Sequence, residues 1–426
     1  LFWPCHEWSL WTSIWSILIH TINESEMSFD FVTASIACDT LRISRATLYA
    51  YASRGLIRTC ADSQDPRRRL YDLRDIEKIQ KRKAIGKRPS EIAARALEWG
   101  HPVLVSQITC IEDQQFLYRG RDAIEWSRHA DVEQTAGLLW DCPLDQLLNA
   151  GAEITDKRRW RRALHLVENI DAVQRCQILL ALAGSGSTPV SRQPPDDLIP
   201  VAMGLVRATA AAVTLGWPGH LPIHQYLARA WNLDGDGAGI LRQALVLLAD
   251  YELNTPTFAA RVIASTGASI NASLIGALGA LAGPQNGGQI ERVEELFGEF
   301  ERVGNAASVV ELRLHHGDGL PGFGDELAPA GDPRAVALMA SLPADAEREA
   351  LMQAMLSIAG KRLTMDFALV SMRRALKLPA DAAMSLFAVG RSVGLLAHIL
   401  EQRRSGRVIR PRALYSGSTK APLAER

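Results

Sequence analysis

Between Leu248 and Gly288 this 426-residue chain leaves its fold little choice. Leu-Ala-Asp-Tyr-Glu-Leu-Asn at 248–254 and Gly-Pro-Gln-Asn-Gly-Gly at 283–288 bracket a run rich in Ala, Ser and Leu. Phe258–Ala282 is helical in period. Its small side chains let a neighbouring helix approach closely, so the run belongs at the centre of a helical core. Ala244–Glu252 reads as a buried helix end leading into it. Apolar residues make up 47% of the chain, enough to fill a large core and a smaller domain. That content also excludes a disordered chain. Strand signals are few beyond one early segment, so the fold class is mainly α.

Formal net charge is zero, but charge is uneven. From Met27 to Ser90 there are 14 Lys and Arg against 7 Asp and Glu, which suits a polyanionic partner. Six cysteines, at 5, 38, 60, 110, 142 and 176, contain no Cys-x-x-Cys pair. They outline neither a disulfide framework nor a zinc site and fit a reducing cytoplasm. No uninterrupted apolar run has the roughly 18 residues of a membrane helix, so no membrane partner is expected. Residues 1–26 stand apart, with Leu1 in place of a start methionine and Trp3, Trp8, Trp11 and Trp15 crowded together. Trp8–Ile19 has signal-peptide length but no Lys or Arg before it and no small-residue cleavage site after it. The expectation is a non-native or disordered leader with Met27 as the start; the alternative is a weak membrane-surface anchor.

Thr33–Leu41 has the pattern of a short helix, and Arg42-Ile43 makes a tight connection. Ser44 is placed to cap a second helix, Arg45–Arg54, by accepting from backbone N–H groups two or three residues on. Ala46, Leu48 and Tyr51 turn partly inward, Arg45, Thr47 and Tyr49 face out, and Gly55 ends the helix. Leu56-Ile57-Arg58 starts a strand-like piece, Asp62–Arg69 is a polar turn, and Asp72–Lys83 is a basic helix. This layout, with Ser-Arg-Ala-Thr-Leu-Tyr (44–49), Gly-Leu-Ile-Arg (55–58) and Arg-Arg-Arg-Leu-Tyr (67–71), resembles the MerR-type winged helix-turn-helix family. The resemblance implies a DNA-binding domain over 27–88, its second helix in the major groove and its wing on phosphate. Candidate duplex DNA contacts are Arg45, Thr47, Tyr49, Arg58, Arg67, Arg68 and Arg69. Arg42 departs from the pattern, since such turns often carry Gly. The competing reading is a small helical domain with a solvated basic face.

Lys81–Pro89 reads as a charged linker. Pro102–Ile111 has strand character, and Leu117-Tyr118-Arg119-Gly120 suits a hairpin turn. Asp131–Leu139, Ala163–Ala183, Leu198–Leu215 and Leu221–Leu248 read as helices, and Gly184–Asp197 as a surface loop. Further on come Gly322-Phe323-Gly324-Asp325, Asp332-Pro333-Arg334, Thr364-Met365-Asp366-Phe367, the Phe387–Leu396 segment with Arg391, and Arg410-Pro411-Arg412-Ala413-Leu414-Tyr415. With Tyr118-Arg119-Gly120 and the brackets at 248 and 283, these motifs resemble, in order, the citrate synthase family from Pro102 to Gly417. The resemblance implies all-helical large and small domains over 92–417, the small one at roughly 290–390, with a small amino-terminal β element and a tail at 418–426.

It also implies a chemistry, the acyltransfer that condenses acetyl-CoA with oxaloacetate in the tricarboxylic acid cycle. A carboxylate takes a methyl proton from the thioester, one histidine stabilises the enol, and another polarises the ketone. Arginines hold the dicarboxylate bidentately, one of them from the other subunit of a dimer. By motif, Asp366 keeps the base position, and Arg334, Arg391 and Arg410 keep the arginine positions. Asn286 replaces the enol-stabilising histidine, Asp325 the ketone-polarising one, and Tyr251 a substrate-contacting one. Ionised, Asp325 only accepts hydrogen bonds and puts negative charge where an anion would lie, where it can pair with Arg334 or Arg391. His315-His316 is more simply read as solvated than as a substitute. No metal or cofactor is implied beyond the acyl-CoA substrate. Two functions follow: an impaired acyltransferase, or a non-catalytic ligand-sensing DNA-binding regulator or subunit partner. Assembly would be a homodimer or a heterodimer with an intact relative.

Overall fold

The computed structural model describes residues 31–413, except 55, 63–64, 66–67, 77–78, 80–102, 113, 149, 151–156, 184–194 and 326. The leader 1–26, Gly55, Arg67, the Lys81–Pro89 linker, most of the Gly184–Asp197 loop and the 418–426 tail therefore lie outside the described residues. The chain divides into two compact units, one within Leu1–Leu104 and one over Val105–Ala413.

The first unit contains β1 (Phe31–Thr33), α1 (Ala34–Leu41), α2 (Arg45–Ser53), β2 (Thr59–Ala61) and β3 (Arg69–Asp72). β3 is central, antiparallel to β1 and β2, with Tyr71 opposite both Val32 and Thr59. Ala37, Leu41, Leu48, Ile57, Tyr71, Ile76 and Ile79 make its core. Ser44 caps α2 as the sequence suggests, accepting from Thr47 N–H at 3.3 Å. Ala46, expected to turn partly inward, is exposed, because this short helix buries only Leu48. The strand expected from Leu56 begins only at Thr59.

Arg42 closes α1 with φ 51° and ψ 53°, the left-handed conformation that glycine adopts without a Cβ clash. Left-handed backbone costs an L-residue about 1–2 kcal/mol, and glycine's extra freedom takes back roughly 0.5–1 kcal/mol. Arg42→Gly is therefore expected to stabilise this unit by up to about 1 kcal/mol, read as a raised denaturation midpoint. A lowered midpoint would refute strain at this turn.

In the second unit, β4 (Thr109–Glu112), β5 (Gln115–Tyr118) and β6 (Arg121–Asp122) form an antiparallel sheet in that order. Arg119 (φ 45°) and Gly120 (φ 80°) are both left-handed, as a two-residue hairpin turn requires. The strand expected over Pro102–Ile111 starts only at Thr109, and Val105 is 89% exposed. Helices follow: α3 (Ala123–His129), α4 (Val132–Trp140), α5 (Leu144–Leu148), α6 (Lys157–Leu166), α7 (Ala172–Ala183), α8 (Ile199–Val213), α9 (Ile223–Ala230), α10 (Gly235–Leu247) and α11 (Thr255–Ser265). Then come α12 (Ile270–Leu281), α13 (Gly288–Val303), α14 (Ala306–His316), α15 (Pro333–Met339), α16 (Ala346–Ala359), α17 (Met365–Ala375) and α18 (Ala382–Ser405).

Three segments that read as single helices are pairs. Ala163–Ala183 breaks before α7, where Asp171 accepts from Val173 and Gln174 N–H, each at 3.0 Å. Leu221–Leu248 breaks before α10, where Asp234 accepts from Gly237 N–H at 2.7 Å. Phe258–Ala282 breaks at Gly267 (φ 85°), after which Ser269 caps α12 through Ala272 N–H at 3.1 Å. In each case a short polar side chain satisfies the new amino-terminal donors while the apolar period runs on. Ala244–Glu252 is likewise helical only to Leu247.

α18 is the axis of this unit and packs against α11, α12, α8 and α4. It is long and apolar enough to cross a membrane, yet 89% of that stretch is buried within the protein, which makes it a core helix. It passes close to the bend at 248–254, which follows α10, and the candidate site is built at that approach.

Candidate active site

The bend meets α18 through Asp250, which is wholly buried. Arg391 Nη1 donates to Asp250 Oδ1 at 3.0 Å, and Arg391 Nη2 donates to Thr257 Oγ1 at 2.7 Å and Asn254 Oδ1 at 3.2 Å. His398 Nε2 lies 3.3 Å from Asp250 Oδ2. Burial works to raise the pKa of Asp250, but His398 and Arg391 outweigh it and hold the carboxyl well below its usual range. Tyr118 braces the same bend, its hydroxyl donating to the Leu247 carbonyl at 3.1 Å. Arg391 is a site candidate by its motif, whereas Asp250 and His398 come into the site only through the fold. His398 follows Arg391 by seven residues and so shares its helix face, a signal that was available.

Arg334 is buried in the first turn of α15. Its Nη2 and Nε donate to Asp332 at 2.7 and 3.1 Å, and its Nη1 to the Asp250 carbonyl at 3.2 Å. The guanidinium carbon lies 4.2 Å from the ring centre of Phe116 and 4.5 Å from that of Tyr251. Desolvation opposes its charge, but Asp332 keeps it protonated. Both buried arginines thus have a carboxylate of their own. Asp325, expected to face one of them, instead accepts a hydrogen bond from the Tyr251 hydroxyl, and its other oxygen accepts from Leu327 N–H at 2.8 Å. Burial pushes the Tyr251 hydroxyl far above its usual pKa, Arg334 pulls the other way, and Asp325 adds to the rise, so Tyr251 is a neutral donor.

Asp366 sits in the first turn of α17 and accepts from Thr364 Oγ1 at 3.2 Å. The Asp325 and Asp366 segments are tied together by Gly324 N–H to the Arg362 carbonyl and Thr364 N–H to the Gly322 carbonyl, both at 2.8 Å. Burial pushes Asp366 up to about 6, against the Thr364 hydrogen bond; Asp332 adds to the rise and Arg334 reduces it. An acid with a raised folded pKa penalises the folded state above that pKa. Here stability falls as pH rises from about 4 to 6, by roughly 2–3 kcal/mol in all. Asp366→Asn should therefore stabilise the protein by an amount of that order at pH 7 and by much less at pH 4. Equal effects at the two pH values in denaturant titrations would contradict a perturbed Asp366.

Asn286 lies in the turn before α13, where its N–H donates to the Gly283 carbonyl at 2.8 Å. Its side chain makes no hydrogen bond among the described residues. Arg410 is exposed on the extended stretch after α18, anchored beside it by Ile409 N–H to Ser265 Oγ at 3.1 Å. His315 and His316 are exposed at the end of α14. Tyr251, Asp325, Arg334 and Asp366 are thus joined by contacts or shared fields, and Arg391 reaches them through Asp250, whereas Asn286 and Arg410 make no hydrogen bond, ion pair or ring contact with them among the described residues.

In the first unit, Arg45, Tyr49, Arg68 and Arg69 line a groove of about 760 Å³ with Thr33 and Ser35. Thr47 is half-buried and tied to Ser44. Arg58, a candidate DNA contact, pairs with Asp72 at 3.0 Å and Asp75 at 2.9 Å, which makes it a brace of the β2–β3 hairpin.

The sequence matches the family model for the citrate synthase C-terminal domain over residues 96–412. The chain belongs to the citrate synthase family. Citrate synthase 2 of Bacillus subtilis is 29% identical over 371 residues, covering 78% of this chain and 99% of that protein. Putative citrate synthase 2 of Mycobacterium tuberculosis is 40% identical over 192 residues, covering 40% of this chain; the match spans about half (49%) of that relative. The crystal structure of Thermotoga maritima citrate synthase superposes with a TM-score of 0.65 at 24% identity, over 76% of this chain and 95% of that one. The mainly helical fold with its small sheet is therefore that of a citrate synthase. Citrate synthases need no cofactor apart from the CoA substrate, and no metal-holding group of His, Cys, Asp and Glu occurs among the described residues.

Proposed function

We propose that this protein is a citrate-synthase body with impaired condensing activity, carried with a winged helix-turn-helix that binds duplex DNA. Its site takes oxaloacetate or a similar dicarboxylate, and acyl-CoA, chiefly as ligands. The observation that carries this reading is the hydrogen bond from Tyr251 to Asp325. Both residues stand where the family resemblance implies histidines. The Tyr251 hydroxyl commits its one proton to Asp325, leaving none for a ketone oxygen. Asp325 has nothing to donate and opposes a developing alkoxide. Asp366, poised near 6, still suits a general base, which supports slow residual turnover. Thiol release from acetyl-CoA with oxaloacetate tests this half; a rate matching an intact family member would overturn it. The exposed Arg410 stretch supports a dimer in which it reaches a partner's site, whether a second copy or an intact relative.

The DNA half rests on the cap at Ser44, the exposed Arg45 and Tyr49 of α2, and the arginines of the hairpin. Replacing Arg67, Arg68 and Arg69 with Ala should weaken binding to every duplex. It should also flatten the slope of log affinity against log salt by about 2–3, because each lost phosphate contact removes roughly 0.9. An unchanged slope would exclude the hairpin as a wing.

A further inference from the structure

We infer that Asp325 and Tyr251 set the ligand class of the candidate site, and that it takes a 2-amino dicarboxylate in preference to a 2-oxo one. The inference rests on the reading of the site above and goes further by naming what the two altered positions recognise. The buried and the accessible parts of the site offer different things. Arg334, Asp332, Arg391, Asp250 and His398 are buried. Tyr251, Asp325 and Asp366 are half-buried, so they are the parts a ligand can touch. Tyr251 gives its one proton to Asp325, which also accepts from Leu327 N–H at 2.8 Å. Each oxygen of the ionised carboxylate has room for a further hydrogen bond, and neither can donate. Asp366 accepts from Thr364 Oγ1 at 3.2 Å and, poised near 6, is ionised at neutral pH. The accessible face therefore presents acceptors and negative charge.

A ketone oxygen is itself an acceptor, so against this face it finds no donor and meets carboxylate charge. An ammonium group at the same carbon brings three donors and a positive charge, which match the two carboxylates. The buried part leaves a donor over. Arg391 is 1% exposed, and its Nε has no hydrogen-bond partner among the described residues. That spare donor suits a ligand carboxylate oxygen. At the rim, the exposed Lys361 and Arg362 side chains lie against Gly324 and Gly331, at the two ends of the Asp325 loop. Cations around the site and acceptors at its accessible face fit one molecule that carries carboxylates and an ammonium together. Its C2 is saturated and has no carbonyl for an enol to attack, so the ligand is held rather than converted.

The test measures binding of oxaloacetate, malate and both enantiomers of aspartate to the full chain by calorimetry at neutral pH. The tighter aspartate enantiomer should bind at least about tenfold more tightly than oxaloacetate, the gain of one charge-assisted hydrogen bond. In Asp325→Asn the Tyr251 hydroxyl keeps an acceptor, but aspartate affinity should fall about tenfold and the preference should vanish. Tyr251→Phe keeps the carboxylate and should keep the preference. The wild-type ranking needs no variant, so a misfolded Asp325→Asn protein does not shield the proposal. If oxaloacetate binds as tightly as aspartate or more tightly, while thiol release stays slow, this inference fails and the impaired-condensation reading stands. Malate equal to aspartate would mean that the face reads a hydroxyl, and would overturn the amino class. A preference that survives Asp325→Asn would remove Asp325 as its source and also overturn the proposal. If none of these dicarboxylates binds, the ligand reading of the site fails with it.

Discussion

Gly394→Ala is expected to destabilise the citrate-synthase unit by at least about 3 kcal/mol and to abolish ligand binding. A Cβ at Gly394 would lie 2.2 Å from the Ala249 carbonyl oxygen and 2.3 Å from Asp250 Oδ1. Neither neighbour can give way cheaply. The Ala249 carbonyl accepts from Gly394 N–H at 2.9 Å, and Asp250 is held by Arg391 and His398. Relief would mean moving α18 off the bend and separating a buried carboxylate from its cations, a change of several kcal/mol when one partner of such a pair is lost. Gly298→Ala is the matched control, since nothing lies within 4 Å of its added Cβ on α13. There alanine should be neutral or gain up to about 1 kcal/mol. Thermal melts of the two variants side by side decide the matter; comparable midpoints would mean that the contact between α18 and the bend does not organise the unit.

That contact was partly legible in the sequence. The small residues of 258–282 and the Ala-Asp-Tyr-Glu frame pointed to a close-packed helical centre, and α11, α12 and α18 form it. The breaks inside that centre were missed because apolar periodicity continues through Ser269, Asp234 and Asp171, whose side chains start new helices. Period reports burial, whereas a cap is one hydrogen bond and leaves no period. The ion pairs were harder still. Arg334 and Arg391 could be read as cations for a substrate, but their partners Asp332 and Asp250 show only once the chain has folded. Arg58 is the same case in the first unit. Tyr251 and Asp325 read as two separate losses of histidine. Seventy-four residues apart in the chain, they are one hydrogen-bonded unit in the structure.

The pairing of those two residues changes what their reversion should do. Asp325→His alone removes a carboxylate from beside Tyr251, whose ring packs against Arg334, and should improve dicarboxylate affinity. It also takes the carboxylate acceptor from the half-buried Tyr251 hydroxyl, a cost of up to roughly 1–3 kcal/mol that offsets the gain. Tyr251→His alone leaves Asp325 in place, still a poor neighbour for a developing alkoxide. Either change alone should therefore yield little turnover, and the two effects should not add. With Tyr251→His, Asp325→His and Asn286→His together, the histidines at the ketone-polarising and enol-stabilising positions return, and Asp366, whose pKa of about 6 suits the proton transfer, is still present as the base. A missing donor of this kind typically costs roughly 10²–10⁴ in rate. The triple variant should accordingly release thiol from acetyl-CoA with oxaloacetate at least about a hundredfold faster than the unmodified chain. Adding Asp366→Asn should return it to background. A triple variant that folds and binds oxaloacetate yet gains no activity would mean that the lost histidines are not what limits this chain. The missing part would then have to be sought elsewhere, and an arginine such as Arg410 from a partner subunit would be the first candidate.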